Sequence, residues 1–407
     1  MYIPRHIEQA FHTVEKMFGA ILVTGARQVG KTTLIRNEKK ELPYITLDDP
    51  IMLQSAKDEP GSFFQASPPP LFVDEIQYAP NLFPYIKMIL DKDKKKGQFY
   101  LSGSQQFKMM KNVTESLAGR LGILNLLGLS LREIQEDAFY SQFLPTKKYF
   151  TARQKTVQPI QYKDLWRIIQ RGSMPELYVD ETFDAQVFYG AYTRTYIERD
   201  VRDLTQVGDE GKFLSFMTVV ASHTGQLLNL ASISKDVGIS QTTADRWLSI
   251  LRASNLVYLL PPYSNNVIKR AVKTPKLYFL DTGLAAYLTR WNTPDVLEAG
   301  AMAGAFFETF VVSEIIKSYY NQGILDLPIY FYRDRDEKEI DMLIIQDGKI
   351  YPLEIKKTAN PNKSMIKQFS VLDKISGLER GTGGVICLYE SLIPLTEKEN
   401  VIPVAYL

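Results

Sequence analysis

The residues Gly25-Ala26-Arg27-Gln28-Val29-Gly30-Lys31-Thr32 follow the spacing G-x-x-x-x-G-K-[ST]. Glycines in this pattern let backbone N–H groups wrap a phosphate chain, and the lysine and hydroxyl follow where a helix begins. Lys31 is expected on the β- and γ-phosphates and Thr32 on Mg²⁺. The predicted cradle is Gly25, Ala26, Arg27, Gln28, Val29, Gly30, Lys31, Thr32 and Thr33. Downstream, Leu71-Phe72-Val73-Asp74-Glu75 delivers two acids at the end of an apolar strand. Asp74 is predicted to hold Mg²⁺, directly or through water, and Glu75 to orient and polarise the attacking water. No guanine-reading Asn-Lys-x-Asp follows, so ATP is the expected nucleotide.

Two further residues are candidates for this site. The apolar stretch Gln98–Leu101 ends in Ser102-Gly103-Ser104-Gln105, and Ser104 is expected beside the γ-phosphate as a sensor, with a turn-forming serine as the alternative. Arg120 stands just before a new apolar strand. It is a candidate to stabilise transition-state charge, in its own or a neighbouring subunit; a surface salt bridge is the competing reading.

A second constellation lies near the C-terminus. Asp347-Gly348 between two apolar runs signals a two-residue hairpin. That turn sets Gln346 opposite Lys349 and Ile345 opposite Ile350, so that Asp341 faces Glu354, with Lys356 two residues on and on the same face. Ile340, Met342 and Ile344 are expected to share the apolar face with Tyr351, Leu353 and Ile355. Facing carboxylates repel in an ordinary sheet, and a divalent cation reverses the sign. Asp341 and Glu354 suit Mg²⁺ or Mn²⁺, and Lys356 is placed to polarise a water or steady a phosphate in attack. Glu308, on an apolar helix face with Val312, Ile315 and Tyr319, is the expected third acid. The order of helix, strands and E-x-K resembles the core of PD-(D/E)xK nucleases. A degenerate form that binds without cutting is the alternative.

These residues need elements to hold them. The chain has 407 residues, enough for two to four domains. Its 45% hydrophobic and 23% charged residues are ordinary for a globular protein. A net charge of +2 neither demands nor excludes nucleic acid. The single cysteine, Cys387, excludes a disulfide framework and fits a reducing cytosol. Three scattered histidines make zinc an unsuitable expectation. With neither a signal pattern nor an apolar run of membrane-spanning length, the expectation is a cytoplasmic protein without membrane association. Rhythm divides the chain into an α/β parallel-sheet domain at 1–135, a helical linker or lid at 136–210, a helix-turn-helix with wing at 211–290, and an α/β nuclease-like domain at 291–407. In the third, Ala244, Trp247, Ile250 and Leu251 form one buried helix face. Thr242, Asp245, Arg246, Ser249 and Arg252 lie opposite, a mildly basic face suited to DNA or to protein docking.

The stretches VTGARQVGKTTL, LFVDEIQYAPNLF, LSGSQQF and SLAGRLGILNLLGLSLREI resemble those of AAA-type ATPases that carry a C-terminal domain of the DUF4143 family. The resemblance spans nearly the whole chain. It implies an AAA-like core, a winged helix, a nuclease-related C-terminal fold and, as in many AAA relatives, a homo-oligomeric ring. Two functions compete: an ATP-driven machine acting on DNA, with a metal-dependent nuclease domain, or an ATP-controlled protein-interaction switch with an inactive one.

Overall fold

A computed structural model describes residues 2–104, 117–180, 182–196, 210–264, 274–334 and 336–407. Gln105, Glu115 and Ser116, which flank the candidate Ser104 and Arg120 in the sequence reading, lie outside the described residues.

Five short strands build the first sheet: β1 (Ala20–Thr24), β2 (Tyr44–Thr46), β3 (Leu71–Asp74), β4 (Phe99–Gly103) and β5 (Leu121–Asn125). They pair in the order β2-β3-β4-β1-β5, all parallel. Alternation gives the inner strands β1, β3 and β4 two buried faces. Ile21, Val23, Phe72 and Tyr100 join one apolar cluster, while Ala20, Leu22, Leu71, Val73, Phe99 and Leu101 join the other. This two-sided burial explains the unbroken apolar runs in the sequence. Because the strands are parallel and in register, Thr24, Asp74 and Gly103 finish on one edge of the sheet. In open parallel sheets that edge is where ligands bind.

Helices Lys147–Arg153, Tyr162–Arg171 and Ala185–Tyr196 follow. Next comes a compact unit of helices Glu210–Ser222, Leu230–Val237 and Gln241–Ala253. Gly238, at φ 70°, ends the second helix in the left-handed region, and the Ser240 hydroxyl accepts from the Thr243 amide to start the third. Ala244, Trp247, Ile250 and Leu251 are buried; Thr242, Asp245, Arg246, Ser249 and Arg252 are exposed. Strands β6 (Gln226–Leu227), β7 (Val257–Leu260) and β8 (Lys276–Phe279) complete the unit as a small antiparallel sheet.

The C-terminal sheet contains β9 (Ile329–Arg333), β10 (Glu339–Gln346), β11 (Lys349–Lys356), β12 (Glu379–Arg380), β13 (Gly383–Cys387), β14 (Ile393–Pro394) and β15 (Glu399–Pro403). Its order is β14-β15-β13-β11-β10-β9, with β12 against β11. Helix Ala303–Tyr320 packs on it and is buried almost all round, as expected for a helix apolar on every side. A 3₁₀ run covers Lys363–Lys374.

The β10–β11 hairpin has the register read from the turn: Gln346 pairs with Lys349, Ile345 with Ile350 and Met342 with Leu353. Asp347 and Gly348 both have positive φ, 51° and 72°, the conformation a type I′ turn requires. One expectation fails. Met342, Ile344, Tyr351, Leu353 and Ile355 do share a core, but Ile340 belongs to the opposite cluster with Leu343 and Ile350. The pairing of β10 with β9 shifts between Ile340 and Leu343, and such a bulge breaks the two-residue alternation.

Candidate nucleotide site and C-terminal acid cluster

Strand β1 runs directly into the glycine loop, whose backbone only glycine takes easily at its ends: Gly25 has φ 151° and Gly30 has φ 93°. A Cβ on Gly25 would lie 2.0 Å from the carbonyl oxygen of Leu126. Helix Lys31–Glu38 begins immediately after Gly30, so the loop lies at a helix N-terminus, where N–H groups and the helix dipole favour an anion. The Lys31 ammonium donates to the carbonyls of Gly25 at 3.1 Å and Ala26 at 2.7 Å. Above the loop opens a cavity of about 1060 Å³, lined by Arg27, Gln28, Gly30, Lys31, Thr32, Thr33 and Glu75 and roofed by Tyr2, Ile3, Val179 and Phe188.

Asp74 accepts from the Thr32 hydroxyl at 2.9 and 3.1 Å, from the Tyr44 hydroxyl at 3.0 Å, and from the Ser102 hydroxyl. Thr32 and Asp74 thus present hard oxygens side by side, the donor set Mg²⁺ takes, and these two residues would hold it. Burial, then the charge of Asp74, pushes the Tyr44 hydroxyl up to about 12, so it stays a proton donor to that carboxylate. Glu75 has φ 55° and ψ 44°, a left-handed backbone that costs a non-glycine residue about 1–3 kcal/mol. Gln77, missed in the sequence reading, donates to the Glu75 carboxylate and lies 3.4 Å from the Ser104 hydroxyl. The water-polarising candidate and the sensor candidate therefore share one amide. Nothing beyond the two-residue spacing of Glu75 and Gln77 signals this.

Arg120 lies elsewhere. It precedes β5, where Leu121 pairs with Ala20 at the start of β1, so the length of the strand separates it from the glycine loop. Its guanidinium donates to Asp91 at 2.6 Å and to the Ala118 carbonyl at 3.1 Å. It does not enter the cavity of its own chain.

A buried network behind the loop was also illegible in sequence. Arg5 donates to the carbonyls of Val29 (2.8 Å), Leu127 (2.7 Å) and Gly128 (3.2 Å), and to Glu133 (3.1 Å). Glu133 further accepts from the amides of His6 and Ser130. Burial pushes Glu133 up, but Arg5 and these donors prevail and hold it below the usual carboxylate range. The same stretch meets helix Ala303–Tyr320: Lys317 donates to the Leu129 carbonyl at 2.8 Å and to Glu314 at 2.7 Å, and the Leu131 amide donates to Glu314 at 2.7 Å.

At the C-terminal hairpin the four sequence candidates gather. Lys356 lies 2.9 Å from Asp341 and 2.8 Å from Glu354, and the Ile355 amide donates to Asp341 at 2.8 Å. Glu308 accepts from the Tyr278 hydroxyl at 2.6 Å. A residue missed from sequence, Lys276 of β8, stands 3.3 Å from Glu308, 2.6 Å from Glu339 and 3.8 Å from Asp341. Burial pushes Glu308 up, and Asp341 adds to the rise. Burial and then Asp341 push Glu354 up to about 9. Asp341, although buried, is held down by Lys356 and Lys276.

The expectation of a metal on Glu308, Asp341 and Glu354 therefore needs correcting for this arrangement. Among the described residues no group of three or more acids stands so as to hold an ion. Ammonium groups fill the gaps: Lys356 between Asp341 and Glu354, and Lys276 between Glu308 and Asp341. The donor chemistry suits a hard cation, but the geometry does not admit one.

Comparison with known proteins adds the following. Residues 18–135 match the model of the AAA domain, residues 162–295 that of a domain of unknown function, DUF8612, and residues 303–407 that of the domain of unknown function DUF4143. The DUF8612 match takes in the helices from Tyr162 together with the unit of helices Glu210–Ser222, Leu230–Val237 and Gln241–Ala253. Uncharacterized proteins of Mycobacterium bovis and Mycobacterium tuberculosis are each 27% identical over 385 residues, covering 94% of this chain and 79% of theirs. Among solved structures, a Walker-type ATPase of Pyrococcus abyssi is similar at 14% identity and a TM-score of 0.43, covering 69% of this chain and 94% of that one. The RuvB Holliday junction branch migration motor of Thermotoga maritima gives 13% and 0.31, covering 63% and 89%. No helix among the described residues is long and apolar enough to cross a membrane.

Proposed function

We propose, from the AAA-domain match over residues 18–135 and the DUF4143 match over residues 303–407, that the chain is an AAA-type P-loop ATPase that binds ATP with Mg²⁺ in the cavity over Gly25–Thr33 and hydrolyses it. The observation that carries this is that Lys31, Thr32 and Glu75 line one cavity at the edge of the parallel sheet, with Asp74 accepting from the Thr32 hydroxyl beside them. Bound there, Mg²⁺ supplies Lewis-acid neutralisation of the β- and γ-phosphates. Lys31 would exchange the Gly25 and Ala26 carbonyls for phosphate oxygens, Thr32 and Asp74 would hold the ion, and the loop amides would orient the triphosphate. Glu75 takes a proton from the attacking water, and Gln77 sets the position of its carboxylate. Ser104, 3.4 Å from the Gln77 amide, is assigned the role of sensing the phosphate through Gln77. Arg120 serves only the site of a neighbouring copy in a homo-oligomer, since its own cavity lies at the far end of β5.

The test is a pair of variants. Lys31→Ala is expected to lose nucleotide affinity in calorimetry, while Glu75→Gln binds ATP normally and turns it over about 10²–10⁴-fold more slowly. Full turnover by Glu75→Gln would remove Glu75 from its role, and a folded wild type that ignores ATP and Mg²⁺ would remove the function.

The machine acts on DNA in the reading we favour. Support comes from the three helices Glu210–Ser222, Leu230–Val237 and Gln241–Ala253 with their small antiparallel sheet, read as a winged helix. ATP turnover stimulated by DNA and suppressed by salt is expected. A protein-interaction switch shows neither effect.

A further inference from the structure

Helix Ala185–Tyr196 forms one wall of the nucleotide cavity through Phe188, Tyr192 and Thr195. Its rings continue beyond that wall. Phe188 stacks on Tyr192 and Tyr192 on Tyr196, each pair 6.3 Å between ring centres, as residues four apart on one helix face can. Tyr196 is buried, and its hydroxyl donates to the Ser254 hydroxyl at 3.0 Å. Ser254 is the residue that closes helix Gln241–Ala253, whose exposed face carries Arg246 and Arg252.

The glycine loop reaches the same place from another side. Thr24, the residue before Gly25, has its hydroxyl 3.5 Å from the Asn125 side-chain oxygen, and the Asn125 amide donates to Asn255 at 3.2 Å. Asn255 directly follows Ser254 and takes the left-handed backbone, φ 54°, in which helices commonly end. The end of β5 is locked to the loop. The Leu126 amide donates to the Thr24 carbonyl at 2.8 Å, and Gly25 lies so close to Leu126 that no Cβ fits between them. One group from the cavity wall and one from behind its loop thus converge on two consecutive buried residues. Buried polar contacts of this kind hold firmly, because breaking one strands a donor away from water.

We propose that Ser254 and Asn255 form a joint through which nucleotide occupancy reaches helix Gln241–Ala253. When the triphosphate draws Lys31 from the carbonyls of Gly25 and Ala26, the loop and Asn125 readjust while the wall helix settles on the nucleotide, and both changes arrive at one helix end. By linkage, a partner held on the exposed face of that helix changes nucleotide affinity by the same factor as nucleotide changes the partner's. The inference rests on the reading of the cavity as an ATP site, and the experiment separates the two.

Amide hydrogen exchange of the full chain is followed by mass spectrometry with Mg²⁺, with and without AMP-PNP. In wild type the nucleotide is expected to slow exchange over 25–33 and, at least about fivefold, over 241–256, the lower end of ordinary coupling between sites. Tyr196→Phe combined with Ser254→Ala removes both ends of one contact and strands no donor. Asn255→Gly removes the other contact and keeps the left-handed turn. Each variant is expected to keep the slowing over 25–33 and to lose most of that over 241–256, and one decides if the other fails to fold. Slowing over 25–33 alone in wild type, or full slowing over 241–256 in every variant that folds, overturns the joint and leaves the ATP site. No slowing anywhere overturns the ATP reading and the joint with it.

Discussion

Arg5 offers the sharpest test of how the glycine loop is held. Its guanidinium serves three carbonyls, one of them in the loop itself, and compensates the fully buried Glu133. In Arg5→Met the stem is kept and the charge removed. Breaking a buried pair by deleting one partner costs about 3–5 kcal/mol, and the amides of His6 and Ser130 still on Glu133 hold the figure near the lower end, about 3 kcal/mol. Urea denaturation measures it, and a nucleotide titration of the folded variant should show weaker ATP binding because Val29 has lost its anchor. The pH dependence supplies a check on sign. In wild type Glu133 sits below the usual carboxylate range, so its contribution is present above the unfolded value near about 4.3 and is lost as pH falls through the folded one. In the variant that carboxylate is buried without its cation, so protonation relieves it, and the stability gap narrows as pH drops from 7 toward about 4. Arg5→Lys restores one point charge and part of the stability. A variant within about 0.5 kcal/mol of wild type, the size of an ordinary surface substitution, or a gap that widens on acidification, refutes this reasoning.

Gly25→Ala drives a Cβ to within 2.0 Å of the Leu126 carbonyl oxygen at a φ of 151°; a loss of about 2 kcal/mol or more and of ATP affinity is expected, and unchanged stability and binding would contradict the loop geometry. Lys317→Met leaves Glu314 buried with the Leu131 amide as its remaining hydrogen-bond partner among the described residues, at a cost of about 3 kcal/mol in denaturation. Any DNA-stimulated ATPase should fall steeply between low and moderate salt, and a salt-independent rate would favour the switch reading.

The chemistry nearest the nucleotide was legible because it is local. Gly25 to Thr32 and Asp74-Glu75 carry their meaning within a few residues, as does the Asp347-Gly348 turn that set the facing of β10 and β11. What failed was non-local. Arg5 and Glu133 are separated by 128 positions, and no pattern along the chain announces their meeting. Ile340 was assigned to the wrong face because perfect alternation was assumed, and the bulge opposite β9 broke it. Lys276 stood at the head of Lys-Leu-Tyr-Phe, where a lysine ordinarily caps a strand at the surface. The one available hint was that Tyr278 shares its face, two polar tips aimed the same way from a strand otherwise apolar.

The tight turn at Asp347-Gly348 has a consequence at a distance. Asp341 lies six residues back, roughly 20 Å along the strand, yet its meeting with Glu354 and Lys356 is dictated by how many residues the bend contains. Surface bends generally accept extra residues with little harm. At this one a single inserted residue would slide β11 past β10 by one place and turn Glu354 and Lys356 to the other side of the sheet. The acid pair is thus vulnerable to length changes at a spot where sequence drift is usually forgiven, and counting residues across that bend in any relative tells whether the pair can form.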